Sequence, residues 1–189
     1  LSPTSLKQTA EYTSQRGFDY AFQDIHAYCT QIARALYNST HPLMKDNKSL
    51  AKQLKDAEEF NFITRSLLDG EIGFSTDEEE SFATFRDRTL HPHELSTGER
   101  LLLSWAIVLH RQRQALSNAV IIIDEPESNL HHDACLRALT KLRDEVLGER
   151  GQIWLATHSV PLLAWGGLDS VHFVKDGSIE YAGNKVTKV

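Results

Sequence analysis

Five apolar residues, Ala119-Val120-Ile121-Ile122-Ile123, run straight into Asp124-Glu125-Pro126-Glu127. A short, β-branched, uninterrupted apolar run reads as a buried strand of a parallel sheet, and the proline marks its end. Carboxylates at the end of such a strand are costly unless something neutralises them. Side chains alternate along a strand, so Asp124 and Glu125 should point in different directions. One can then hold a cation or its water shell while the other faces a second group. Magnesium with a water-activating carboxylate fits that pair; a solvated strand end is the alternative.

The sequence around this run supports an α/β arrangement. Residues 101–109 form a densely apolar helical run, and Leu136, Leu139, Leu142 and Val146 recur at helical spacing. Residues 152–156 read as a second buried strand, with shorter strands at 171–174 and 179–181 joined by a turn at Asp176-Gly177. Strand, helix, strand, with polar residues at the strand ends, predicts a sheet that takes ligands at its carboxyl edge. Upstream, Phe18, Ala21, Phe22, Ile25, Tyr28, Ile32 and Leu36 lie at helical spacing until Asn38-Ser39-Thr40-His41-Pro42 breaks it. Residues 48–68 are helical again, with Phe60, Phe62, Ile63, Leu67 and Leu68, and stop at Asp69-Gly70. Two strand-like runs, 71–75 and 81–86, flank an acidic tip at 76–80 and predict a β-hairpin. The expected division is a helical subdomain over 1–70, for partner or DNA contact or as a dimerisation arm, and an α/β lobe over 71–189.

Charge and composition narrow the function. The net charge of −6 lies wholly in residues 71–189, which carry twelve basic and eighteen acidic side chains. A chain that coats a phosphate backbone is expected to be basic, so a stand-alone nucleic-acid binder is disfavoured. Cys29 and Cys135 form no CxxC pair and read as reduced thiols of a cytoplasmic protein. No apolar stretch approaches the ~18 residues of a membrane span. His91 and His93 lack a third ligand at convincing spacing, so zinc is not expected there.

Two further segments carry chemistry. In Leu95-Ser96-Thr97-Gly98-Glu99-Arg100, the Ser-x-x-Glu spacing is that of a capping box. The helix start it predicts also offers free N–H groups and a positive dipole end to an anion, and Gly98 would allow a phosphate close to the backbone. In Ala156-Thr157-His158-Ser159, a histidine follows the second strand, where it could hydrogen-bond a phosphate or a developing charge. An ordinary helix start and a satisfied surface histidine are the plainer readings of each.

Taken in order, the three segments resemble the carboxyl-terminal part of an ATP-binding-cassette (ABC) ATPase over roughly residues 90–175. The implied fold is the P-loop NTPase sheet of an ABC-ATPase head, with flanking helices and a helical subdomain. The resemblance makes residues 95–99 the signature motif, with Ser96, Thr97, Gly98 and Glu99 as nucleotide-contacting residues. It makes Asp124 the magnesium-positioning Walker B aspartate and Glu125 the catalytic glutamate. It makes Ser128-Asn129-Leu130-His131 the D-loop, with Asn129 at the nucleotide, and His158 the catalytic switch histidine. Transporter ATPases typically read Ser-Gly-Gly-Gln and Asp-Glu-Pro-Thr-Ser-Ala-Leu-Asp at these places. Thr97, Glu99 and Asp-Glu-Pro-Glu-Ser-Asn-Leu-His look instead like the branch of SMC-like, RecF-like and OLD-family ATPases. That branch implies ATP and Mg²⁺ as cofactors and a second ATPase head as partner, in a homodimer or higher oligomer. It further implies a nuclease or effector partner, contact with DNA, and a role in DNA repair or anti-phage defence.

The phosphate-cradling Gly-x-x-x-x-Gly-Lys-Ser/Thr loop of this family does not occur, and there is no Gly-Lys dipeptide anywhere. The expectation is that an amino-terminal lobe of a larger ATPase carries it, rather than that the chain is a nucleotide-free subunit. Gln23 is only a weak candidate for a Q-loop glutamine. Other functions to separate are a non-catalytic regulatory module of the same fold and a transporter ATPase subunit.

Overall fold

The computed structural model describes residues 17–40, 48–76 and 81–181. The opening residues 1–5, residues 41–42 of the expected helix break and residues 77–80 of the hairpin tip lie outside the described residues, as do the side chains of Phe18, Ala21 and Phe22. No described helix is long and apolar enough to cross a membrane.

Helix α1 (Gly17–Thr40) turns Ile25, Cys29 and Ile32 inward at i, i+4 and i+7, the spacing of one helical face. Helix α2 (Lys48–Leu68) is buried mainly in its second half, at Ala57, Phe60, Ile63, Leu67 and Leu68. Buried Asn61 on the same helix donates from Nδ2 to the Ile72 carbonyl and accepts the Ile72 N–H at Oδ1, both at 2.8 Å. That amide satisfies backbone groups where strand β1 (Ile72–Thr76) begins. β1 pairs antiparallel with β2 (Ser81–Phe85), so the expected hairpin forms. A third strand, β3 (Arg88–Thr89), joins β2 through a tight turn with Arg86 at φ 50° and Asp87 at φ 61°. Two positive φ values make the mirror-image turn that matches strand twist; the absence of Gly or Asn there hides it from sequence.

Helix α3 (Thr97–Arg111) packs against α2 and α1. Strand β4 (Val120–Asp124) then runs parallel to β5 (Gln152–Ala156), in a register that sets Asp124 opposite Ala156. Helix α4 (His132–Lys141), continued by a π-type turn at Leu142–Val146, forms the crossover between them. Helix α5 (Val160–Gly166) leaves β5, and β6 (His172–Lys175) and β7 (Ser178–Tyr181) form an exposed hairpin around Asp176-Gly177. One continuous apolar core takes residues from Ile25 on α1 to Leu162 on α5, on both sides of residue 70.

The strands expected to be buried are buried on one face only. Ile121, Ile123, Ile153 and Leu155 pack against the core, whereas Val120, Ile122 and Trp154 are 42%, 62% and 54% exposed. A parallel sheet is normally covered on both faces. Here the described β4–β5 sheet has two strands, and its second face stays largely open, with the His172 ring of β6 at 6.2 Å from Trp154.

Both cysteines are buried and free. Burial pushes the Cys29 thiol up to about 12; burial, with the Glu127 charge, pushes Cys135 up to about 11. Thiolate is the reactive form. Neither thiol is therefore expected to react with a disulfide reagent in the folded protein, and both should react once it is denatured; absorbance of the released thiolate measures this.

Candidate functional site

The site is built at the carboxyl ends of β4 and β5. Glu125 leaves β4 in the left-handed region, at φ 44° and ψ 57°. A non-glycine residue there stores on the order of 1 kcal/mol, and such strain persists only where its surroundings hold it. The Glu125 N–H donates to the Ala156 carbonyl at 2.8 Å, and the Glu125 carbonyl accepts the Ser128 N–H at 3.0 Å. Ser128 Oγ donates to Glu125 Oε2 at 3.0 Å, and His158 Nε2 lies 3.5 Å from Glu125 Oε1. The structure thus brings together two residues separated by a whole crossover. The His158 side chain is 91% exposed and Glu125 51%, so both reach solvent from a fixed backbone. Asp124, the last residue of β4, is exposed, and its carboxylate has no hydrogen bond or ion pair among the described residues. An unengaged carboxylate oxygen is a hard donor of the kind magnesium takes, so Asp124 fits that ion.

The residues expected to form a signature motif make a second group. Ser96 caps α3: its Oγ accepts the Glu99 N–H at 3.2 Å, while Glu99 Oε2 accepts the Ser96 N–H at 2.9 Å and the Ser96 hydroxyl at 2.8 Å. Arg86 adds an ion pair to Glu99 Oε1 at 2.9 Å. Burial alone would raise the Glu99 pKa; the Ser96 bonds and Arg86 outweigh it and hold the carboxyl below its usual range. Thr97 Oγ1 accepts from Arg100 at 3.2 Å. A Cβ on Gly98 would lie 3.0 Å from Leu130 Cδ2, so the glycine lets the helix start pack against the segment that carries Leu130. Ser96, Gly98, Glu99 and Asn129, with Arg137 and Lys141, line part of a cleft of about 330 Å³. Asp124, Glu125 and His158 do not line it. His131 holds the N-cap position of α4 without a side-chain capping bond and also lines this cleft, and Gln23 lies exposed on α1.

Two features escaped the sequence reading. One is Glu127, whose carboxylate crosses to the loop after β5: Oε1 accepts the Thr157 hydroxyl in a short hydrogen bond and the His158 N–H at 3.1 Å. The repeated acid of Asp-Glu-Pro-Glu was its only sequence signal. The other is a cluster at the α1–α2–α3 junction. Tyr28 Oη lies 2.6 Å from Nδ1 of buried His110, and Arg113 binds Asp56 Oδ1 at 2.5 Å and Glu59 Oε2 at 2.7 Å. Asp56, Glu59 and His110 bring ligand atoms within 4.8 Å of one another. The Arg113 guanidinium already occupies both carboxylates, so the cluster is a charge-compensated junction between helices.

Comparison with known proteins adds three findings. No curated protein sequence matches the chain. Among solved structures, a similar one is "Crystal structure of the SmcHead bound to the C-winged helix domain of ScpA", with a TM-score of 0.50 and 16% identity. The match covers 88% of this chain and spans 56% of that chain. At that identity the likeness speaks for the fold alone. The family described as "AAA domain, putative AbiEii toxin, Type IV TA system" matches residues 15–164. The chain belongs to that family, and its fold is that of a P-loop NTPase of the ABC/AAA type.

Proposed function

We infer that this chain is the catalytic portion of an ATPase head that binds and hydrolyses ATP between two protomers. The observation that carries the reading is the Glu125–His158 pair at 3.5 Å beside an unengaged Asp124, all at the carboxyl edge of adjacent parallel strands. Asp124 would hold Mg²⁺, which when bound supplies positive charge to the phosphate oxygens. Glu125 would orient and deprotonate the attacking water, and His158 would face the γ-phosphate. Phosphoryl transfer needs positioning and charge stabilisation more than covalent chemistry. The exposed Glu125 and His158 side chains on a strained, multiply tied backbone suit that need.

The separate cleft favours two half-sites. Ser96, Thr97, Gly98 and Asn129 of one head would complete the nucleotide site of a second head, with Glu99 holding Ser96 in place. The phosphate loop would come from a lobe outside this sequence, over residues 71–189 acting as the carboxyl-terminal half of the head. The open face at Val120, Ile122 and Trp154 is in keeping with a covering lobe. Residues 1–70 would form the helical subdomain that meets a partner or DNA. The wider reading is a cytoplasmic, DNA-directed machine of the SMC/RecF/OLD-like branch, in repair or anti-phage defence, beside a nuclease or effector.

Measuring ATP hydrolysis by the complete protein, with and without DNA, tests the proposal. Hydrolysis that rises with DNA supports it; no hydrolysis in either condition favours the non-catalytic module. Ser96→Arg places a long charged side chain at the start of α3 and is expected to abolish ATP-dependent dimerisation. Unchanged dimerisation by light scattering removes the half-site assignment.

A further inference from the structure

We propose that Glu127 is a positioning residue that fixes the His158 loop against Glu125. It acts through hydrogen bonds to Thr157 and His158 and touches no reacting atom. This rests on the ATPase reading of the site, although its structural part does not need that reading.

The argument starts from what could hold His158. Its imidazole is 91% exposed, and its contact with Glu125 is a 3.5 Å approach rather than a tight bond. Such a side chain has many rotamers and little packing to select one. Its backbone, by contrast, is bracketed. Glu127 Oε1 accepts from Thr157 Oγ1 before it and from its own N–H at 3.1 Å. The Ser159 N–H after it donates to Thr157 Oγ1 at 2.9 Å. One carboxylate oxygen therefore anchors two successive residues directly and the third, Ser159, through the Thr157 hydroxyl.

The other end is anchored as well. Glu127 sits in the short turn Pro126–Ser128 that directly follows Glu125, and the Ser128 N–H and hydroxyl both bond to Glu125. With the Glu125 N–H on the Ala156 carbonyl, two independent ties join the strand ends. Removing the Glu127 tie leaves the two strand ends joined by main-chain bonding only ahead of His158, through the Glu125 N–H on Ala156. The interaction is charge-assisted: burial would raise the Glu127 pKa, but the Thr157 hydroxyl and nearby backbone N–H groups outweigh it and keep the group ionised.

The test uses the complete protein and three variants. In Glu127→Ala, amide exchange at His158 is expected to rise about 10–100-fold, the range for loss of a charge-assisted bond. Its kcat should fall by about tenfold or more with the KM for ATP changed less than about threefold. Glu127→Gln keeps an acceptor oxygen and is expected to restore His158 protection and most of kcat. Thr157→Val keeps the shape but loses the hydroxyl; it should raise exchange in the same direction even where Glu127→Ala does not fold. Unchanged His158 exchange in both Glu127→Ala and Thr157→Val overturns the proposal. So does a Glu127→Gln enzyme as slow as Glu127→Ala although its His158 protection is restored, which would assign the effect to charge at the reacting atoms and not to the loop. A wild-type protein that hydrolyses no ATP defeats the ATPase reading, while the exchange measurements still decide whether Glu127 holds the loop.

Discussion

Glu125→Gln in the complete protein is expected to slow ATP hydrolysis by about 10²–10⁴-fold, the usual contribution of a positioned general base. The substitution is nearly isosteric. An amide oxygen can still accept the Ser128 hydroxyl, and the left-handed backbone at residue 125 is held by Ala156 and Ser128 through main-chain atoms. What disappears is the ability to take a proton from water. Loss confined to kcat, with ATP affinity within about twofold, marks an interaction made only in the transition state. Because the nucleotide is then bound but not consumed, the variant should accumulate as an ATP-dependent dimer. Size-exclusion chromatography with ATP and single-turnover kinetics check both halves. A variant that hydrolyses at the wild-type rate assigns the water to another group.

The strand ending in Asp124 was legible because uninterrupted β-branched residues followed by Pro126 have few other readings, and Ser96 with Glu99 announced a capping box that forms in full. These are local signals, the first written in eight consecutive residues and the second in four. The reach of Glu127 to Thr157 was not legible, because it depends on the parallel register that sets Asp124 beside Ala156. Glu127 and Thr157 lie 30 residues apart in sequence, and no local pattern reports which strands become neighbours. The open face of β4 and β5 was hidden for a related reason. An apolar run says that both faces avoid water; it does not say which chain segment covers each. Likewise His110 reads as one more polar residue near a helix end, and only the packing of three helices turns it into a buried partner of Tyr28.

The largest stability effect is expected at that junction. Phe60 is fully buried, with its ring 5.2 Å from Tyr28 and 5.4 Å from His110 in edge-on geometry. Phe60→Ala should cost about 3–5 kcal/mol through lost burial and a residual cavity, and aromatic pairing adds to the loss. The cavity also opens beside His110. Burial, then the Arg113 charge, hold that imidazole's pKa below 6.5, against the opposing pull of Asp56 and Glu59. A depressed folded-state pKa means that the unfolded chain binds the proton more readily. The stabilising contribution is therefore complete above about pH 6.5 and is lost as pH falls through the folded value. Water entering the Phe60→Ala cavity would bring His110 back toward its ordinary pKa. The variant should thus be less stable at every pH, yet lose less of its remaining stability between about pH 7.5 and 5.5 than the wild type. Urea unfolding at the two pH values measures this. Equal losses in both proteins would show that His110 stays shielded after the ring is removed, and that Tyr28 and Arg113 alone keep it neutral.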